Sequence, residues 1–109
     1  MSNHVITIGN SGPKPQSLNV FNNDTISFDN TSKFTQKITF IGKLPFKKFT
    51  NPLFLVSGNE SGKYQVGAIF GQTHGIFLYD TEPQRGNSDT NNAAGGKNDP
   101  KSGEIIVND

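Results

Sequence analysis

Apolar side chains in this chain come in short runs, and Asn, Gly, Ser or Asp breaks each run before a helical pattern can establish itself. No segment of helical length carries apolar residues at the 3.6-residue period, and Gly or Pro interrupts every candidate. Short runs of β-branched and aromatic residues between turn-forming residues are the pattern of an all-β domain. The pattern predicts strands over His4–Ile8, Ser17–Phe21, Thr25–Asp29, Lys37–Ile41, Leu53–Val56, Tyr64–Ile69, Ile76–Asp80 and Glu104–Val107. Asn22-Asn23-Asp24 suits a tight hairpin, because Asn tolerates positive φ. Eight strands and no helix in 109 residues predict a single β-sandwich over residues 1–109.

Only 31% of the residues are hydrophobic, but nine are Phe, and large aromatics bury much area each. A chain of this length buries roughly 65% of its unfolded surface, enough for one core without cross-links. There is no cysteine, so no disulfide forms and the redox compartment is not indicated. The net charge of +1 supplies no global field toward nucleic acid or an anionic membrane. Residues 1–50 nevertheless carry six Lys against two Asp, and the remainder is weakly acidic. No apolar run approaches the ~20 residues of a membrane helix, and no signal peptide is visible at the N-terminus. The expectation is a cytoplasmic protein without membrane contact.

One segment departs from the strand rhythm. Thr81 to Ser102 holds 22 residues with almost no apolar side chains, and is read as a long polar loop. Unstructured loops beyond about 12–15 residues are uncommon in compact domains, and are functional or simply solvated.

Two stretches of sequence pair up in a suggestive way. The first is Asp24-Thr25-Ile26-Ser27-Phe28-Asp29-Asn30, followed by Phe34-Thr35-Gln36-Lys37-Ile38-Thr39-Phe40. The second is Gly75-Ile76-Phe77-Leu78-Tyr79-Asp80, leading to Gly103-Glu104-Ile105-Ile106-Val107. In these runs and their spacing the chain resembles the cupredoxins, the superfamily of plastocyanin and azurin. That family's first histidine ligand follows a Phe-Pro step, and the matching run here places Gln36 at its position. The family's cysteine ligand follows Tyr at the end of the next-to-last strand, so Tyr79-Asp80 implies Asp80 at that position. The second histidine would fall near Pro83 or Gln84. Met1, the only methionine, cannot match the fourth ligand. A blue-copper site requires a thiolate. The resemblance therefore implies an all-β Greek-key sandwich of cupredoxin-like topology without the copper: no metal and no cofactor.

Asp80, Gln36 and Glu82 offer oxygen donors to a hard cation, yet calcium takes six or more. Asp89-Thr90-Asn91-Asn92 begins like a calcium loop, but Ala93 and Ala94 then stand where a donor and the turn glycine are needed. If successive strands alternate in direction, the loops 9–16, 30–36 and 81–102 share one end with Gln36 and Asp80. His4 and His74 fall at the other end, where two histidines alone make a poor metal site or catalytic dyad. Lys43-Leu44-Pro45-Phe46-Lys47-Lys48-Phe49 interleaves cations and aromatics, as single-stranded nucleic-acid sites do. The run is short and the net charge near zero, so its Phe residues are expected to cap the core while its Lys residues keep the loop soluble.

The reading that follows is a non-enzymatic, copper-free module that binds another protein or a small polar ligand, with no nucleic acid. Its contact pole is expected around Phe34, Gln36, Tyr79, Asp80, Gln84 and Arg85. A carbohydrate-binding sandwich with Phe34 and Tyr79 as its aromatic platform is one alternative. A metal-binding or electron-transfer protein with a non-standard site is another.

Overall fold

The computed structural model describes residues 2–68, 71–84 and 100–108. Among these there are nine strands and no helix. They are β1 (Asn3–Gly9), β2 (Gly12–Lys14), β3 (Ser17–Phe21), β4 (Thr25–Asn30), β5 (Thr35–Ile41), β6 (Leu53–Leu55), β7 (Tyr64–Gln65), β8 (Gly75–Gln84) and β9 (Lys101–Asn108). One sheet has the order β2-β1-β4-β7 and the other β3-β9-β8-β5-β6. The two parallel pairings, β1 with β4 and β3 with β9, give all strands but β2 the alternating directions that the sequence suggested.

The departures from expectation have physical reasons. β2 is an added strand, hidden in the sequence by Pro13. Proline is tolerated there because β2 is an edge strand, with one side free of partners. β8 runs four residues past Asp80, and β9 begins at Lys101. Both ends of the expected 81–102 loop are therefore strand, and residues 85–99 lie outside the described residues. Pro83 fits in a central strand because β9 stops pairing at Thr81–Lys101, so no ladder bond is lost on that side. The turn at Asn22–Asp24 is tight, with Asn23 at φ 75°, and its closing bond runs from Asp24 N to Phe21 O at 3.1 Å. It is not a hairpin, because β3 and β4 belong to different sheets.

The core forms where the inner faces meet. Ile6, Ile8, Ile26 and Phe28 from one sheet oppose Val20, Ile38, Phe40, Phe77, Tyr79, Ile105 and Val107 from the other. Phe28, Phe40 and Phe77 are all buried, which fixes the strand register. Phe46 and Phe49 close the core as expected. Their ring centroids lie 5.3 Å apart, and Phe40 packs edge-on to both. Tyr79 crosses the cluster 5.1 Å from Phe40 and 6.2 Å from Phe28. Its strand partner is Gly103, where an added Cβ would sit 2.5 Å from the phenol oxygen. Glycine is what lets that ring lie flat over β9.

Candidate functional site: the Gln36 pole

β4 ends at Asn30, and this buried side chain organises the end of the sandwich. Its Nδ2 donates to the carbonyls of Phe34 (2.9 Å) and Leu55 (2.7 Å). Its Oδ1 accepts from Ser32 N (2.9 Å) and Ser32 Oγ (2.6 Å). The amide thus pins the 30–34 turn and delivers the chain into β5. Two residues into β5, Gln36 turns inward and is only 3% exposed. Its Nε2 donates to Ser32 Oγ at 2.9 Å, while its Oε1 is buried with no hydrogen-bond partner among the described residues. Burying an amide oxygen without a partner carries a desolvation cost of about 1–3 kcal/mol.

Across the sheet, β8 sends Phe77, Tyr79 and Thr81 inward and Leu78 and Asp80 outward. Thr81 is buried beside Gln36, and its hydroxyl donates to the Lys101 carbonyl at 3.2 Å. A cavity of about 240 Å³ opens here, walled by Asn10, Lys33, Phe34, Gln36, Thr81 and Lys101 among others. Lys33 is anchored through its backbone N–H, which donates to Asn10 Oδ1 at 3.2 Å. The Lys101 stem crosses Gly12, where an added Cβ would meet it at 2.8 Å.

Of the six residues expected at the site, Phe34 and Gln36 meet in this cavity. Asp80 lies on the opposite face of the sheet, where it accepts from Ser102 Oγ at 2.9 Å, so it does not bond with Gln36. Tyr79 is fully buried. Desolvation pushes its phenol pKa up, and its hydroxyl has no partner among the described residues. An aromatic platform for a sugar therefore keeps Phe34 and loses Tyr79. Gln84 donates to the Glu82 carbonyl at 3.0 Å and does not wall the cavity. Arg85 and Asp89–Asn92 lie outside the described residues. The oxygen-donor set of Gln36, Asp80 and Glu82 is split between two faces. Among the described residues no three His, Asp or Glu side chains converge on a point. Sequence reasoning missed Asn30 and Thr81. Continuing the inward alternation Phe77–Tyr79 by one step would have found Thr81.

No family model matches the chain, and no curated protein matches it in sequence. Solved structures do match its shape. A copper(I) form of an amicyanin variant superposes with a TM-score of 0.64 at 12% identity, covering 97% of this chain and 82% of that one. A purple cupredoxin from Nitrosopumilus maritimus gives 0.59 at 14% identity, covering 95% and 98%. The fold is that of the cupredoxins. Within this cupredoxin frame, β8 presents Thr81 and Pro83 on the inner face beside Gln36, and Thr81 lies one place beyond the Asp80 implied by the sequence resemblance. A shift of one residue in a strand exchanges the two faces. The inward donors at the pole are thus an amide and a hydroxyl. Neither is a thiolate or an imidazole, and the set does not fit a blue-copper ion.

The two histidines lie at the opposite end, as the strand directions required. His4 Nε2 sits 3.0 Å from Asp24 Oδ2. Burial alone would raise the Asp24 pKa. The backbone N–H groups of Phe21 and Ser2, with the His4 ring, outweigh it and hold the carboxyl below its ordinary value.

Proposed function

We propose that this cupredoxin-fold chain is a copper-free, non-enzymatic binding module, contacting another protein or a small polar ligand through the pole around Phe34, Gln36 and Thr81. The observation that carries the reading is the chemistry of the inward positions. An amide and a hydroxyl recognise by hydrogen bonding and give a soft metal no ligand. The cavity beside them has room for several waters at ~30 Å³ each. It falls below the ~300–1,000 Å³ of pockets for drug-sized molecules. A projecting side chain of a partner, or a small polar molecule, suits that volume.

Two measurements test the proposal. In the first, the protein is dialysed against Cu(II) and the retained metal is counted. Stoichiometric retention that depends on Gln36 refutes the copper-free reading. In the second, chemical cross-linking captures a partner with the parent chain, with a Lys33→Glu/Phe34→Ala variant and with a Val5→Ser control. The expected result is loss of the partner from the pole variant alone. Equal capture by all three places the contact surface elsewhere.

A further inference from the structure

The end of the sandwich opposite the Gln36 pole concentrates charge that the sequence averages away. Lys43, Lys47 and Lys48 wall one hollow of about 720 Å³, together with Leu44, Phe49 and Thr73. Lys47 and Lys48 also wall an adjoining hollow of about 610 Å³ with Lys63 and Tyr64. No acidic side chain lines either hollow, and none of these four lysines has an ion pair among the described residues. Among the described residues, the carboxylate at this end, Asp24, is buried and committed to Ser2, Phe21 and His4. Asp80, Glu82 and Glu104 lie further toward the other pole, on the outer face of the five-stranded sheet.

Apolar side chains flank the lysines. Phe21, Ile41 and Ile76 are 54%, 55% and 64% exposed. Phe21 closes β3, Ile41 closes β5 two residues before Lys43, and Ile76 is the second residue of β8. The Phe21 corner is tied to the lysine hollow by Asn22, whose amide exchanges two hydrogen bonds with the Thr73 backbone, at 2.7 and 2.9 Å.

We propose that this end docks on the surface of an anionic phospholipid bilayer, with the lysines on the headgroups and Phe21, Ile41 and Ile76 in the interfacial layer. Juxtaposed lysines and exposed apolar side chains are the combination that binds anionic leaflets. Lysine presents a point charge and not the planar fork of arginine, which suits a fluid array of headgroups better than one fixed partner group. A nucleic-acid strand needs open ring faces for stacking. Here Phe46 is nearly fully buried, and the partly buried rings of Phe49 and Tyr64 are packed against it and against each other. Docked this way, the molecule turns the Gln36 pole away from the membrane, so this inference stands apart from the reading of that pole.

The test is co-sedimentation with vesicles of phosphatidylcholine containing phosphatidylglycerol, and with vesicles of phosphatidylcholine alone. Binding is expected to the first only and to weaken with added salt. A Lys43→Gln/Lys47→Gln/Lys48→Gln variant should lose roughly a hundredfold in partitioning, from the usual contribution per lysine near such a surface. Phe21→Ser/Ile76→Ser should weaken binding while leaving the melting temperature near that of the parent, since both side chains are exposed. Absence of binding to the anionic vesicles overturns the proposal, as does equal binding to the neutral ones. Tighter lysine-dependent binding to a single-stranded oligonucleotide or to polyglutamate overturns it in favour of that partner. Vesicle binding unchanged by the Phe21/Ile76 variant overturns the apolar half of the mode.

Discussion

Replacing Asn30 by Ala tests how the Gln36 pole is held. The side chain is fully buried and makes four hydrogen bonds, two through Nδ2 and two through Oδ1. Each such bond contributes about 1 kcal/mol net, and a buried group left unpaired costs about 1–3 kcal/mol. Removing the amide strands the Leu55 carbonyl and the Ser32 N–H unless water enters. The expected loss is therefore about 4 kcal/mol, a large share of a typical ~5–15 kcal/mol stability. At about 4 °C per kcal/mol, the melting temperature should fall by roughly 15 °C. Urea unfolding followed by tyrosine fluorescence measures the free energy, and calorimetry measures the melting point. Asn30→Asp is the informative companion. It keeps acceptors for Ser32 but turns lone pairs toward the Phe34 and Leu55 carbonyls, and should cost at least as much at neutral pH. If Asn30→Ala loses under about 1 kcal/mol, the turn holds itself without the amide, and the account of how Phe34 and Gln36 are positioned fails.

Other changes probe other links. Gly103→Ala drives a Cβ to 2.5 Å from the Tyr79 phenol, and overpacking of this kind costs about 1–3 kcal/mol by urea titration. A neutral outcome would mean that the ring moves freely. Phe28→Ala removes the hub of the aromatic cluster and should cost about 3–5 kcal/mol, read from the same titration. The Asp24 carboxyl is held below its ordinary 3.8, so the folded chain binds that proton less readily than the unfolded one. Its contribution to stability is complete above that value and is lost as pH falls through the lower folded one. Asp24→Asn should flatten that part of the acid-unfolding profile, and an unchanged slope argues against the assignment. Finally, Gln36→His/Thr81→Cys should give a thiolate-to-copper absorption band that Gln36→His/Asp80→Cys lacks, because only residue 81 faces inward. The reverse result would reverse the facing of β8.

The sandwich was legible because burial imposes a period of two wherever a strand faces the core. Phe28, Phe40 and Phe77 carry that period and are all buried. Legibility failed where polarity and burial part company. Asn30 and Thr81 are buried polar residues toward strand ends, where apolar alternation gives way to hydrogen bonding. Asn30 reads as a turn residue, and its role depends on the Leu55 carbonyl, 25 residues away in the chain. Thr-Glu-Pro-Gln after Asp80 reads as loop, although Thr81 still pairs with Lys101 and Pro83 lies opposite Gln36. The lysine-rich end was hidden for a different reason. A net charge of +1 is a sum over the chain, and only the fold decides which charges share a surface.

The pole and the scaffold rest on separate sets of residues. The aromatic cluster from Phe28 to Tyr79, Gly103 beneath it and the Asn30 amide hold the two sheets and the 30–34 turn in place. None of these supplies a donor to the cavity. The side chains that face it, Gln36 and Thr81, make only a few hydrogen bonds among the described residues, and Gln36 Oε1 makes none. A scaffold so divided does not depend on which donors face the cavity. Shape agreement at 12–14% identity alongside a donor set that does not fit copper is what that division produces. Fold and metal chemistry are then separable properties of this architecture, and any function of the pole must be argued from Gln36, Thr81, Phe34 and the two lysines that stand there.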